Sequence, residues 1–206
     1  VSSVPRFTAH FECSNPLVNR LWDNIRWSTL GNFISVPTDC PQRNERMGWS
    51  GDINVYSRTA TFLWDCKEFL RKHLQSMRDI QLPDGRFPDV APIGGGFGGF
   101  LWGSAGIVVP WELWLHYGDL QVLSEHYDAM LRYINYVEKE YIDPSSGLFT
   151  QNRHEAKLGD WLGLQDGMND KSLLFESYYI YCLDIMQNAA RLLGKNADEA
   201  RFKDTL

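Results

Sequence analysis

The 206 residues contain no run approaching the roughly 20 apolar side chains that a membrane-spanning helix needs, so no membrane span is expected. They contain no C-x-x-C pair either. Cys13, Cys40, Cys66 and Cys182 stand far apart with no histidine cluster beside them, which argues against zinc and for free thiols. Basic stripes are missing: 20 Lys and Arg against 26 Asp and Glu give a net charge of −6 with the signs interspersed. Nothing is arranged to neutralise a phosphate backbone, so no nucleic-acid partner is expected. The five glycines between Gly94 and Gly99 are preceded by no strand and followed by no lysine. That is not the spacing of a phosphate-cradling loop, and no cofactor is expected. Val1-Ser2-Ser3 lacks the basic start and apolar run of a secretory leader, so any leader is expected upstream, and the compartment is left open.

Strand signals are also scarce. After a loosely alternating lead-in over residues 1–13, helical spacing dominates. Asn15-Pro16 supplies a cap and an early-helix proline for a first helix through Leu17, Leu21, Trp22, Ile25 and Thr29, fading near Ile34. A second is expected from about Asp52 to Leu63, and a third, opened by an Asp65/Glu68 capping box, to about Ile80. His73 in that third helix reads as a packing or surface residue rather than a ligand. A fourth runs from about Ser104 to His116, with a kink or late start expected at Pro110. The fifth carries the clearest period, from Leu120 through Leu123, Tyr127, Met130, Ile134 and Val137 to Tyr141. A sixth follows from about Asn169 to Leu193, and a seventh starts at Asn196, capped with Glu199. The fold class is therefore all-α.

The connections alternate in length. Those after helices one, three and five are long; those after two, four and six are short turns, which join antiparallel neighbours. If helices alternate up and down, the three long loops emerge at one end. That places Asp39, Arg43, Glu45, Trp49, Asp52, Trp102, Asp160 and Trp161 on a single rim. Function carried on loops over a rigid scaffold is the expected arrangement.

The first long loop is the densest: Val36-Pro-Thr-Asp-Cys-Pro-Gln-Arg-Asn-Glu-Arg-Met-Gly-Trp-Ser-Gly-Asp52 holds three acids, two guanidiniums and an indole. Such a set could simply pin a loop. It also suits a sugar, whose C–H faces stack on indoles and whose hydroxyls bind carboxylates and Arg. Glycoside hydrolysis needs two carboxylic groups, one donating a proton to the leaving oxygen. Glu45, with Asp39, Asp52 and Trp49 in the same loop, is the candidate for that acid.

Asp39-Cys-Pro-Gln-Arg-Asn-Glu-Arg-Met-Gly-Trp-Ser-Gly-Asp52 resembles the signature of the bacterial α-L-rhamnosidases. Pro83-Asp-Gly-Arg-Phe-Pro-Asp89, Val109-Pro-Trp-Glu-Leu113 and Gly159-Asp-Trp-Leu162 extend the resemblance over most of the chain. Asn44 and Ser104 depart from it, standing where the family often has aspartate. The resemblance implies antiparallel hairpins forming about half of an (α/α)6 toroid, over residues 14–206, and removal of terminal α-L-rhamnose by inversion. It implies Glu45 as general acid and Asp39, Arg43, Trp49, Asp52, Trp102, Trp161 and Asp160 as substrate-binding residues. The family's general base is a glutamate from the second half of the barrel, which this chain is expected not to contain. The expected partners are a rhamnosylated glycan or glycoside and the remainder of the catalytic domain. The chain alone is expected to be inactive or nearly so and to self-associate through exposed helix faces. A non-catalytic carbohydrate-binding domain is the alternative.

Overall fold

A computed structural model describes residues 2–4, 6–96, 99–150 and 171–206. The element order is α1 (Pro16–Asn32), β1 (Phe33–Ile34), β2 (Val36–Pro37), α2 (Ser50–Leu63), α3 (Lys67–Asp79), α4 (Phe100–Gly103), α5 (Ala105–Tyr117), α6 (Leu120–Tyr141), α7 (Ser172–Leu192) and α8 (Asn196–Thr205). The fold is all-α, as the spacing predicts, with one two-residue antiparallel strand pair among the described residues, in which Phe33 faces Pro37 and Ile34 faces Val36.

Local chemistry explains most boundaries and corrects several. Asn15 caps α1: its side chain accepts from the Leu17 amide at 2.9 Å and Pro16 follows. Asp65 does not cap α3. Its amide donates to the Arg6 carbonyl at 3.0 Å, tying the lead-in to the end of α2, and Cys66 takes the cap position without a side-chain bond. Asn196 lies inside α8, with Lys195 in the cap position, again without a side-chain bond. Pro110 neither delays nor ends α5, which starts ahead of it at Ala105. It leaves the Gly106 carbonyl without its usual donor. Gly118 at φ 64° closes α5 in the left-handed conformation that glycine adopts cheaply.

Helices α2, α5 and α7 pack side by side as an inner row, and α3, α6 and α8 lie outside them. Buried side chains form one continuous core, including Ile53, Leu70, Leu74, Ile107, Val109, Met130, Ile134 and Met186. Connections that begin an inner helix are long, and those that leave one are short. The first two long loops are joined directly: the Ala91 amide donates to the Gly48 carbonyl at 3.0 Å and the Ser50 amide to the Asp89 carbonyl at 2.7 Å. The start of the third reaches the same end, where Phe149 packs on Phe100 at 5.0 Å. Among the described residues no helix is long and apolar enough to cross a membrane. All four cysteines are free, as their spacing predicts.

His73 in α3 and His126 in α6 are fully buried. Burial pushes His73 down to about 4, helped by Lys72. Burial and the Arg78 charge push His126 down to about 3, against the pull of the Gly106 carbonyl. Arg78 Nη1 donates to His126 Nδ1 at 3.0 Å, which fixes that nitrogen as a neutral acceptor. Both folded values lie below the roughly 6.5 of an unfolded histidine. The stability they contribute is therefore complete above about pH 6.5 and is lost as pH falls toward the folded values, at about 1.4 kcal/mol per unit for each ring. Urea midpoints measured at stepped pH are expected to decline steadily from pH 6.5 to 4. His73→Gln, which cannot titrate, should flatten that slope; an unchanged slope would assign the acid loss to other groups.

Candidate active site

The residues between β2 and α2 fold back on themselves. The Asp39 amide donates to the Met47 carbonyl at 3.0 Å, and Asp39 Oδ1 accepts from the Met47 amide at 2.8 Å. This brace holds the intervening turn, in which Arg46 takes φ 57° and its Nε donates to the Pro41 carbonyl at 3.2 Å. Glu45 projects from the turn with both oxygens engaged. Oε2 accepts from Arg43 Nη2 at 2.7 Å, and Oε1 accepts from Trp49 Nε1 at 2.9 Å. Polar atoms of Asp39, Cys40 and Glu45 lie within 4.8 Å of one another.

Beside this turn a cleft of about 510 Å³ opens between α1 and α2, with Asp39, Asp52, Asn24 and Tyr56 on its walls. Apolar positions such as Leu21, Ile25, Phe33 and Ile53 line the rest. Tyr56 and Thr29 share a hydroxyl–hydroxyl hydrogen bond across it. Asp52 sits in the first turn of α2. Its side chain reaches solvent, but the surrounding protein removes enough water that desolvation pushes its carboxyl up, and the charges of Asp39 and Glu45 add to this. Asp39 moves the other way. Partial burial would raise it, but the Cys40 thiol, the Met47 and Cys40 amides and Glu45 together hold it below the usual carboxylate range. Two carboxylates on the walls of one cleft are thus driven in opposite directions by their surroundings. The Cys40 thiol is pushed up chiefly by its hydrogen bond to Asp39 and remains protonated.

Arg43, Glu45 and Trp49 therefore meet, Asp39 adjoins them, and Asp52 faces the same cleft. Trp102 in α4 lies over the first turn of α2: a Cβ built on Gly51 would sit 2.6 Å from its indole. Only a glycine at 51 admits that approach. Asp160 and Trp161 lie outside the described residues. Asp39, Cys40 and Glu45 are close enough together to share a cation, yet Asp39 holds the Met47 amide and the Cys40 proton while Glu45 holds Arg43 and Trp49. The cluster is a hydrogen-bond network.

Residues 6–206 match the family model described as the bacterial alpha-L-rhamnosidase 6 hairpin glycosidase domain. The chain belongs to this family. It is 42% identical over 198 residues to an alpha-L-rhamnosidase of Streptomyces avermitilis, covering 95% of this chain and 18% of that one. It is 33% identical to an alpha-L-rhamnosidase of Alteromonas sp., covering 94% and 22%. The chain thus spans about a fifth of the length of the curated relatives it matches. The crystal structure of the Streptomyces avermitilis alpha-L-rhamnosidase complexed with L-rhamnose superposes with TM-score 0.83 at 40% identity, over 98% of this chain and 19% of that one. The native Aspergillus terreus enzyme superposes with TM-score 0.87 at 35% identity, over 98% and 24%.

For this α-L-rhamnosidase-family chain, sequence reasoning passed over two contributors to the site. Cys40 reads as an idle thiol but donates to Asp39. Asn54, buried in α2, donates from Nδ2 to the Leu101 carbonyl at 2.6 Å and so ties the segment bearing Trp102 to the helix bearing Asp52. An amide beside Ile53, on the helix face that also carries Ala60 and Leu63, is the signal that could have found it.

Proposed function

We propose that this chain is the portion of an α-L-rhamnosidase-like catalytic barrel that supplies the general acid, Glu45, for removal of terminal α-L-rhamnose with inversion. The observation that carries the reading is the setting of Glu45, a carboxyl held by a guanidinium and an indole beside a cleft walled by two further carboxylates. In this reading Asp39, Arg43 and Asp52 bind sugar hydroxyls, and Trp49 and Trp102 present aromatic walls. Asp160 and Trp161 complete the subsite from the third loop. A relative in complex with L-rhamnose supports the choice of sugar.

Inversion requires a second carboxylate roughly 6.5–9.5 Å from the acid, with a water between it and the sugar. Asp39 is no candidate: it lies within 4.8 Å of Glu45 on the same turn and is already engaged by Met47 and Cys40. The base comes from a part of the protein outside this chain, and the chain alone binds sugar with little or no turnover. Leu17 (78% exposed) and Trp27 (71%) on α1, with Leu173 (80%) on α7, are faces against which the rest of the barrel packs. Without it, the same faces drive self-association. The test is to follow hydrolysis of an aryl α-L-rhamnoside by the full-length protein using proton NMR. β-L-Rhamnose is expected to appear first and then mutarotate. Initial release of the α anomer would overturn inversion; rhamnose binding without any release would identify a non-catalytic carbohydrate-binding domain.

A further inference from the structure

We infer that Trp49 is a positioning residue for Glu45, its indole N–H fixing Oε1 so that Oε2, once Arg43 turns away to the substrate, is the oxygen that carries the transferred proton. The inference rests on the reading of Glu45 as general acid. It follows from how differently the two partners of that carboxylate are held.

Trp49 is clamped from both sides. It pairs with Val90 in an isolated antiparallel bridge, the preceding carbonyl of Gly48 accepts from Ala91, and the following amide of Ser50 donates to Asp89. Gly48 sits so close to the Ala91 carbonyl that no side chain fits there. From Ser50 onward the backbone is helix α2. The backbone that carries the indole therefore cannot shift without opening the junction between the two rim loops. Its nitrogen edge points at Glu45 Oε1 at 2.9 Å rather than to solvent. An indole serving solely as a wall for a sugar ring has no need to aim its N–H at a carboxylate.

Arg43 is the opposite case. Its side chain is 65% exposed, and its hydrogen bond to Oε2 spans two neighbours on the same turn. Exposed ion pairs of this kind contribute little and exchange readily. A hydroxylated ligand entering beside Asp39 can therefore take Arg43 and free Oε2, while Oε1 stays tethered. The proton then passes from Oε2 to the glycosidic oxygen. The bond from that oxygen to the anomeric carbon breaks, with its electron pair leaving on the oxygen. Water bonds to the carbon and gives its proton to the base outside this chain. The carboxylate left on Glu45 is held by a bond that strengthens as its charge develops.

The test is Trp49→Phe in the full-length enzyme, which keeps an aromatic face and removes the donor. kcat/KM is measured on two substrates, an alkyl α-L-rhamnoside whose leaving group needs a proton and a 2,4-dinitrophenyl α-L-rhamnoside whose leaving group does not. Trp49→Phe is expected to lose about 10–100-fold on the first and less than about threefold on the second, a part of the 10²–10⁴-fold that a general acid supplies. Trp49→His, which retains a ring N–H, is expected to recover part of the loss on the alkyl substrate alone. Equal losses on both substrates, a change confined to KM, or no difference between Phe and His would overturn the assignment. Glu45→Gln run in parallel separates the two layers. If it too loses equally on both substrates, the acid role itself fails and Trp49 has nothing to position.

Discussion

Glu45→Gln in the full-length protein is expected to lower kcat on an unactivated α-L-rhamnoside by about 10²–10⁴-fold while rhamnose affinity changes little. The turn that carries residue 45 is braced by the paired Asp39–Met47 hydrogen bonds, and neither uses the Glu45 side chain. The junction of the two rim loops runs through Gly48, Ser50, Asp89 and Ala91 and is equally independent of it. Glutamine therefore occupies the same position in a folded loop. Its amide oxygen can still accept from Trp49, but its nitrogen is a donor facing the donor Arg43, so Arg43 turns outward. That is the direction in which a bound sugar would draw it, and it preserves binding. What glutamine cannot do is give up a proton. Turnover assays paired with calorimetric titration of rhamnose check both halves, and near-normal turnover would falsify the acid assignment.

A feature of this chain is legible in its sequence where it is local. The period from Leu120 to Tyr141 places α6 residue for residue, and Asn15-Pro16 marks the start of α1, because a helix face and its cap are written within a few positions. Counting loop lengths placed the first two rim loops at one end because short turns force antiparallel neighbours. Failures arose where distant residues compete for the same groups. Asp65 would cap α3, but the lead-in takes both of its groups: its carboxylate accepts from Arg6 Nη1 at 3.4 Å and its amide donates to the Arg6 carbonyl. The short helix α4 sits in a glycine-rich stretch that reads as loop; its Phe100 carbonyl accepts from the Tyr133 hydroxyl at 2.8 Å, 33 positions away. In the candidate site, the sequence shows that Asp39, Arg43, Glu45, Trp49 and Asp52 share one stretch, while how their side chains are wired has no local signal. That Trp49 and Arg43 hold different oxygens of Glu45 depends on the left-handed Arg46 and on the clamp from residues 89–91, neither of which has a local signal.

Phe100→Ala is expected to destabilise the fold by about 3–5 kcal/mol, the range for emptying a buried phenylalanine site. Phe100 is 1% exposed and its ring meets Phe149 at 5.0 Å, Tyr178 at 6.1 Å, Phe175 at 6.4 Å and Tyr141 at 6.5 Å. Those partners come from the end of α6, the start of the third loop and α7, so no one of them can move to fill the space without leaving the others. Phe100→Leu keeps most of the volume and should cost far less. The same position matters to the rim, because Phe100 and Trp102 share the one turn of α4 and Trp102 rests on Gly51 beside Asp52. Loosening that turn should displace the aromatic wall while leaving Glu45 in its own braced loop. Thermal unfolding of the full-length protein should therefore show a clear drop for Phe100→Ala, with KM raised more than kcat is lowered. A melting temperature equal to the parent's would mean that α4 is not anchored through this ring. A loss confined to kcat would mean that the chemistry, rather than sugar binding, depends on where α4 holds Trp102.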